Sequence, residues 1–427
     1  MRFTLPPLAS VLIVLLILES FIVKSVIFDK NDPILIHYLL SGLLISAICG
    51  LAVLRRSTWQ RLRRLPGLKT FLIIVVWLVL VTTARPSALE WAAVIGFVLL
   101  VCGFYLSTTS NLSSSGHSPR RVILYFFAIW VILSLITLVS SPAMSYELPS
   151  LRFRGALISV ANACNIFFFA SIYFAWSFKH EAFLNRNVSA CLGVLSFIFL
   201  LMTLTRSSIL MAIVGLVILA STDCLGRLRS FKVASILLVF AVFLIVVVMN
   251  IDPSTFDGRF GVDDLFSSRD LNWEEGLSRI RGTFLFGSGL LTKQTKGGSA
   301  ELEFSSSNYD PNFDAHALAI TLIEQGGVLF LLFVMTLLLM PLWKFLRVYG
   351  IRSALQHPEF LIMTLIIPGM MFAGGDMISL GSLVNRLQWL FLGIVALDAS
   401  SKDLKLINPP PPDLIPNSLP ECRSHTY

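Results

Sequence analysis

Phe71-Leu72-Ile73-Ile74-Val75-Val76-Trp77-Leu78-Val79-Leu80-Val81 is the stretch that decides the fold class, because every side chain in it is apolar. A half-buried strand alternates polar and apolar residues, and so does a strand of a membrane barrel. A run with no polar face suits a helix that is apolar all round, enclosed by lipid or by other helices. Lipid offers the backbone no hydrogen bonds, so a spanning segment that does not close a barrel must satisfy them within a helix. Similar runs recur along the chain at 8–27, 34–54, 70–84, 87–106, 122–140, 156–176, 188–204, 207–221, 233–250, 315–340, 359–375 and 379–398. Crossing a hydrocarbon layer of about 30 Å takes roughly 20 residues. The expectation is an all-α, polytopic integral membrane protein with about 12 transmembrane helices.

Composition agrees. Of 427 residues, 56% are hydrophobic and 14% charged, where a soluble domain carries roughly 25% charged. The mean hydropathy is +0.80. The net charge of +8 reads as topology rather than nucleic-acid binding, since Lys and Arg collect on cytoplasmic loops. With the N-terminus inside, most of the 33 basic residues fall on inner segments, among them Arg55, Arg56, Arg61, Arg63, Arg64, Lys69, Arg227, Arg229, Lys232 and Lys344. Both termini are then cytoplasmic. The first apolar run lacks a small-x-small site after it and reads as a retained anchor. Six cysteines show no C-x-x-C spacing, so neither a metal site nor a disulfide framework follows.

The organisation expected is nine spans in 1–250, one large periplasmic loop at 251–314, three spans in 315–398, and a cytoplasmic tail at 399–427, Pro-rich at 409–412 and disordered. Within the loop, Ser267-Ser268-Arg269-Asp270 is an S-x-x-D helix start, and Trp273, Leu277 and Ile280 follow at helical spacing.

Several polar residues fall at the outer ends of these spans. Arg206, in Thr203-Leu204-Thr205-Arg206-Ser207-Ser208, sits between two apolar helices. Alone it reads as an arginine that snorkels to headgroups. Aimed at a phosphate, its planar fork of donors offers bidentate recognition. Arg269 and Trp273 share one helix face, either as a packing pair or as a second phosphate clamp. Arg279 and Arg281 are further candidates on other faces. Asp314 is expected to cap span ten and to place His316 in its first turn, where the positive helix end favours neutral imidazole. Glu324 lies about two turns deeper, and an intramembrane carboxylate is a functional candidate. Arg152 and Arg154 precede Gly155 at the entrance of span six, and read alone as headgroup-binding arginines. Arg386 beside Asn385 reads as a partner for Asp376. In span eleven, Pro368-Gly369 is the broken-helix signal. Several arginines, one histidine and no acidic pair on one side suit an anionic leaving group, and a polyprenyl diphosphate fits.

In this order the motifs resemble the O-antigen ligase and polymerase superfamily. Thr203-Leu204-Thr205-Arg206-Ser207 is similar to its T-x-S-R turn. Arg269-x-x-x-Trp273 followed by Phe286-Gly287-Ser288-Gly289 is similar to its R-x-x-x-W and G-x-G segment. His316 followed by Glu324-Gln325-Gly326-Gly327 is similar to its His and later E-x-G pattern, and Arg154-Gly155 with Asn165 resembles the segment before its core. The chain departs from the pattern at Thr205, where Ser is common, and at Ala317, where Asn is common. The resemblance implies a GT-C-like membrane fold. It also implies a metal-independent, inverting glycan transfer from an undecaprenyl-diphosphate-linked donor to lipid A-core or to a second lipid-linked glycan, at the periplasmic face of a bacterial inner membrane. His316, Arg206 and Arg269 would be catalytic. Arg154, Arg206, Arg269, Arg279, Arg281, Trp273, Glu324 and Arg386 would bind substrate. No cofactor, metal or nucleic acid is expected. Asp29 and Asp32 are the alternative for a metal-using enzyme. A transporter or flippase of lipid-linked sugar is the reading from another class, distinguished by duplicated halves and broken helices at mid-membrane.

Overall fold

The computed structural model describes residues 42–47, 66–84, 88–106, 119–147, 152–157, 159–224, 276–277, 280–281, 284–287, 289–290, 317–373 and 383–407. The expected spans 8–27 and 233–250, nearly all of the expected loop helix, and the Pro-rich stretch lie outside the described residues. The main helices are α1 (Leu68–Ala84), α2 (Ala88–Leu100), α3 (Pro119–Ser140), α4 (Val160–His180), α5 (Arg186–Met202), α6 (Arg206–Cys224), α7 (Leu318–Tyr349), α8 (Pro358–Ala373) and α9 (Leu383–Ile407). Each coincides with an apolar run read from the sequence. The last differs at its end: α9 continues to Ile407, past the expected boundary at 399. A π-helical turn, Val101–Leu106, extends α2.

Among the described residues two helices are long and apolar enough to cross a membrane by length and composition, Arg120–Ser140 and Leu318–Tyr349; five shorter apolar helices accompany them. The bundle's outer surface makes the same case. Val76 is 60% exposed, Val139 76% and Trp343 67%, with Leu80, Ile136 and Leu332 beside them on the same three helices. An apolar perimeter of this extent would be an aggregation hazard in water and is the natural surface in lipid. The chain is an integral membrane protein.

Inside, the packing is dominated by rings. Phe97 meets Phe330 and Trp389 edge-on, and Phe169 meets Phe391 in the same way. These contacts fix α2, α7, α9 and α4 around one core, since aromatic pairs prefer edge-to-face or offset geometry over a sandwich.

Two ends of the bundle are distinguishable by polar contacts. At one, Arg120 at the start of α3 donates to Glu359 in the first turn of α8 (2.7 Å) and to Asp398 on α9 (2.6 Å). Tyr173 on α4 donates to the same Glu359 oxygen at 2.9 Å. His357 completes the group: its Nδ1 lies 3.2 Å from Arg120 Nη2, and its ring packs against Phe345 and Tyr349 at the end of α7. A guanidinium has only donors, so His357 Nδ1 is the acceptor and the imidazole is neutral. Burial and the Arg120 charge both push its pKa below the usual value. The sequence reading had missed this cluster. Its signal was an acid next to Pro358 at the head of an apolar run.

The helix directions place the start of α4, α6, α7 and α9 at the opposite end. Between α3 and α4 there the chain forms a two-stranded antiparallel hairpin rather than pure helix: β1 (Tyr146–Glu147) pairs with β2 (Arg152–Phe153), in register Tyr146↔Phe153 and Glu147↔Arg152. Phe153 is fully buried and lies 4.9 Å from Phe199 and 5.9 Å from Phe167. That ring seats the hairpin on α4 and α5.

Candidate functional site

The Arg206 turn is short and strained. Helix α5 ends with Thr203 as its C-cap, and the next residue, Leu204, has φ 53°. Glycine is the usual occupant of that left-handed position, and an L side chain there costs roughly 1–2 kcal/mol. Thr205 then starts α6, its carbonyl accepting from Ile209 N at 3.1 Å, and Arg206 is the first helical residue. The Arg206 side chain is half-buried at the positive end of the helix, the place where backbone N–H groups point at an anion. Arg152, from β2, reaches across to the turn. Its Nε donates to Thr203 O at 3.0 Å and its Nη2 to Thr205 Oγ1 at 2.6 Å. The departure from Ser to Thr at 205 keeps the hydroxyl that this contact uses.

Arg154 plays a different part locally. Its Nε donates to Met144 O at 3.0 Å and its backbone N to Ser145 O at 2.8 Å, closing the hairpin on itself. Gly155 follows at φ 62° with Ser134 against it: a Cβ there would lie 2.6 Å from the hydroxyl.

A second assembly lies along α7. The helix begins at Leu318 with Ala317 as N-cap and no side-chain cap bond. This corrects the expectation that Asp314 caps the helix with His316 in its first turn: the helix starts later, and both residues precede its N-cap, outside the described residues. At the position where the family pattern often has Asn, a good capping residue, this chain has the non-capping Ala317. The helix then breaks at Gly327, with φ 80° and ψ 176°. The broken-helix signal at Pro368-Gly369 corresponds to no break there; α8 runs through Pro368.

A broken helix frees backbone donors and acceptors that lipid cannot satisfy. The 284–290 segment satisfies them. Val328 N donates to Phe284 O at 2.8 Å, and Gly289 N donates to Gln325 O at 3.0 Å. Gln325 Nε2 donates to Leu290 O at 3.1 Å, and Trp77 Nε1 on α1 donates to Gly326 O at 2.8 Å. Phe286 stacks on Trp77, centroids 5.5 Å apart. Glu90, in the first turn of α2, accepts from Leu290 N at 2.9 Å. Gly287 and Gly327 therefore serve the close approach of two backbones, while Gly289 makes room for the Glu90 carboxylate and Gly326 for the Phe330 ring. A Cβ at Gly287 would lie 2.4 Å from Gly326 N, and one at Gly327 would lie 1.9 Å from Leu285 O.

The residues read from the sequence fall as follows. Arg206, Arg154, Glu324 and Arg386 are all placed toward this end of the bundle. Glu324, on α7 just before the break, is 4% exposed, and Arg386 near the start of α9 is fully enclosed. Arg281 is exposed. His316, Arg269, Trp273 and Arg279 lie outside the described residues. Glu90 and Gln325 had not been singled out as site residues. The signal for Glu90 was present: it is a lone carboxylate at the end of an apolar run.

Residues 191–335 match the O-antigen ligase family. That segment is about a third of the chain, and it supports the O-antigen ligase and polymerase superfamily to which the motifs pointed. It contains Arg206, the G-x-G segment and the broken part of α7. No curated protein matches the chain. An O-antigen ligase-like or polymerase-like function, with lipid-linked glycans as the substrate class, goes with this family.

Proposed function

We propose that this protein transfers a glycan from undecaprenyl diphosphate to an acceptor sugar at the periplasmic face of a bacterial inner membrane. The reading is O-antigen ligase-type, with lipid A-core as acceptor; the polymerase of the same superfamily is the alternative. The observation that carries it is Arg206 at the first position of α6, inside the family segment and at one end of an apolar bundle. There the donor's lipid can stay in the bilayer while its diphosphate meets a helix N-terminus and a guanidinium.

In the step proposed, the acceptor hydroxyl attacks the anomeric carbon and the bond to the diphosphate oxygen breaks. The electron pair leaves with the diphosphate, inverting that carbon. Arg206 and Arg269 neutralise the charge that grows on the leaving group, the type of electrostatic stabilisation that dominates many enzymes. His316 orients the acceptor hydroxyl and takes its proton. Arg279, Arg281, Trp273 and Glu324 are the further substrate contacts of this reading, with Arg154, folded on its hairpin, and Arg386, fully enclosed, contributing charge from behind them. Charge neutralisation is assigned to arginines, so transfer is expected to survive a chelator. Inactivation by EDTA with rescue by magnesium or manganese would move the assignment to Asp29 and Asp32.

The deciding assay uses purified protein in detergent with an undecaprenyl-diphosphate-linked glycan and lipid A-core. Arg206→Lys keeps the charge and loses the planar fork, so membrane insertion should be normal and transfer largely lost. Near-normal transfer in that variant overturns the Arg206 assignment. The glycan phenotype of a deletion strain separates the two family activities: lipid-linked polymer that accumulates without reaching lipid A means ligase, and single-repeat products mean polymerase. The break at Gly327 favours one other reading, since discontinuous helices are a transporter feature. A transporter joins no donor to acceptor in detergent, so transfer in the same assay excludes it.

A further inference from the structure

We infer that Arg152 is a positioning residue, one that holds the Thr203–Arg206 turn so that Arg206 faces an anion; the inference rests on the reading of Arg206 as a diphosphate clamp. Read from the sequence, Arg152 and Arg154 were a like pair at a span entrance. The structure separates them. Arg154 folds back on its own hairpin at Met144. Arg152 instead bonds across more than fifty residues of chain to two atoms of one turn, Thr203 O and Thr205 Oγ1.

Three features make that clasp consequential. The turn contains a leucine in left-handed conformation, Leu204, and such backbone persists only where its surroundings over-determine it. Thr205 Oγ1 also donates to Thr203 O, at 3.3 Å. The guanidinium, the hydroxyl and the carbonyl are therefore linked, and moving Arg152 loosens both flanks of Leu204. The clasp itself is held from behind, because Phe153 is buried among Phe167 and Phe199 and fixes the direction from which Arg152 approaches.

Electrostatics gives the clasp a second effect. Helix α5 ends at this turn, so its last carbonyls point their negative ends toward the place where α6 begins. A diphosphate brought to Arg206 would meet those carbonyls at close range. Arg152 sits on the Thr203 carbonyl and places a positive charge over that helix end. The turn is thereby made compatible with an anion without Arg152 itself being the group that touches it.

The test is a double-mutant cycle on protein in lipid nanodiscs, with undecaprenyl diphosphate as the binding probe. Arg206→Ala should weaken binding, and Arg152→Gln should weaken it by about tenfold, the scale of one charge-assisted contact. Their combination should fall well short of the sum of the two losses, because Arg152 acts chiefly through Arg206 and only its charge over the α5 end acts on the anion without it. Arg152→Lys, which keeps the charge over the α5 end, should recover part of the loss. A merely structural role would not give this coupling or this partial rescue. Losses that add in the double variant overturn the inference by making Arg152 a direct ligand. Unchanged binding in Arg152→Gln beside weakened binding in Arg206→Ala overturns it as well. Unchanged binding in Arg206→Ala itself removes the clamp reading beneath it. Should Arg152→Gln fail to fold, Thr205→Ala removes the same contact from the other side: weakened binding that largely disappears on the Arg206→Ala background supports the inference, and unchanged binding overturns it.

Discussion

Replacing Gly327 by alanine tests whether the break in α7 is built into the fold. A Cβ at this position would sit 1.9 Å from Leu285 O, 2.3 Å from Leu285 C and 2.7 Å from Phe286 N. All three are backbone atoms, so no side-chain rotation relieves the clash. The backbone at φ 80°, ψ 176° is close to glycine's own territory, and holding an L residue there costs of order 1–3 kcal/mol. The chain has one escape, which is to let residue 327 become helical and straighten α7, a change alanine favours over glycine by about 1 kcal/mol. That escape expels the 284–290 segment. It forfeits the bonds Val328 N to Phe284 O, Gly289 N to Gln325 O and Gln325 Nε2 to Leu290 O, each about 0.5–1.5 kcal/mol net. Straining in place costs about 1–3 kcal/mol before the clash is relieved, and straightening costs roughly 0.5–3.5 kcal/mol once the helix gain is set against the three bonds, before lost ring packing is counted. The expected result is a fall in unfolding temperature of a few °C in detergent, faster proteolysis near residue 290, and loss of glycan transfer. Gly193→Ala is the control: within α5 its Cβ meets only Phe174 Cβ, at 3.3 Å, so a smaller fall is expected. A Gly327→Ala variant that unfolds at the native temperature and transfers glycan normally refutes the reasoning, because the docked loop would then not depend on the break.

Other outcomes follow from the same contacts. Glu90→Ala removes the acceptor for Leu290 N and should loosen the 284–290 segment, with about 1.5–3 kcal/mol lost; Glu90→Gln keeps an oxygen there and should recover much of it, as proteolysis rates would show. Glu359→Ala leaves Arg120 and Tyr173 without a shared partner and should cost up to about 3 kcal/mol, less than a fully isolated buried charge because Asp398 remains; thermal unfolding reads it. His357 has a folded-state pKa below its ordinary value, so the unfolded chain binds a proton that the folded chain resists. Its contribution to stability is full above about pH 6.5 and declines as pH falls below it. His357→Leu should flatten that part of the stability–pH curve, and an unchanged curve would remove His357 as its source. His316→Ala should keep undecaprenyl diphosphate binding and slow transfer by ~10²–10⁴-fold; activity retained in His316→Gln but lost in His316→Ala means positioning of the acceptor rather than proton removal, and full activity in both removes His316 from the site.

The sequence by itself determined the helices and their medium. An unbroken apolar run such as Phe71–Val81 leaves the backbone one way to satisfy its hydrogen bonds in lipid, so α1 and its counterparts were legible from local composition alone. Order and spacing also carried the family pattern, because Arg206 and the glycines at 287, 289, 326 and 327 are recognisable one by one. What each of those residues touches was decided only by the tertiary structure. Gly287 and Gly327 matter because two backbones 40 residues apart in sequence meet at the break in α7, and nothing local fixes that meeting. The break at Gly327 was not legible in sequence, because Pro368 signals a lost donor wherever it stands, whereas Gly327 breaks a helix only when a neighbouring segment supplies its bonds. Arg152 and Arg154 look interchangeable in a list of residues. Strand geometry would put residues two apart on one face, but the strand ends at Phe153 and the chain turns at Gly155, so the hairpin sends one arginine to the Arg206 turn and the other back to Met144.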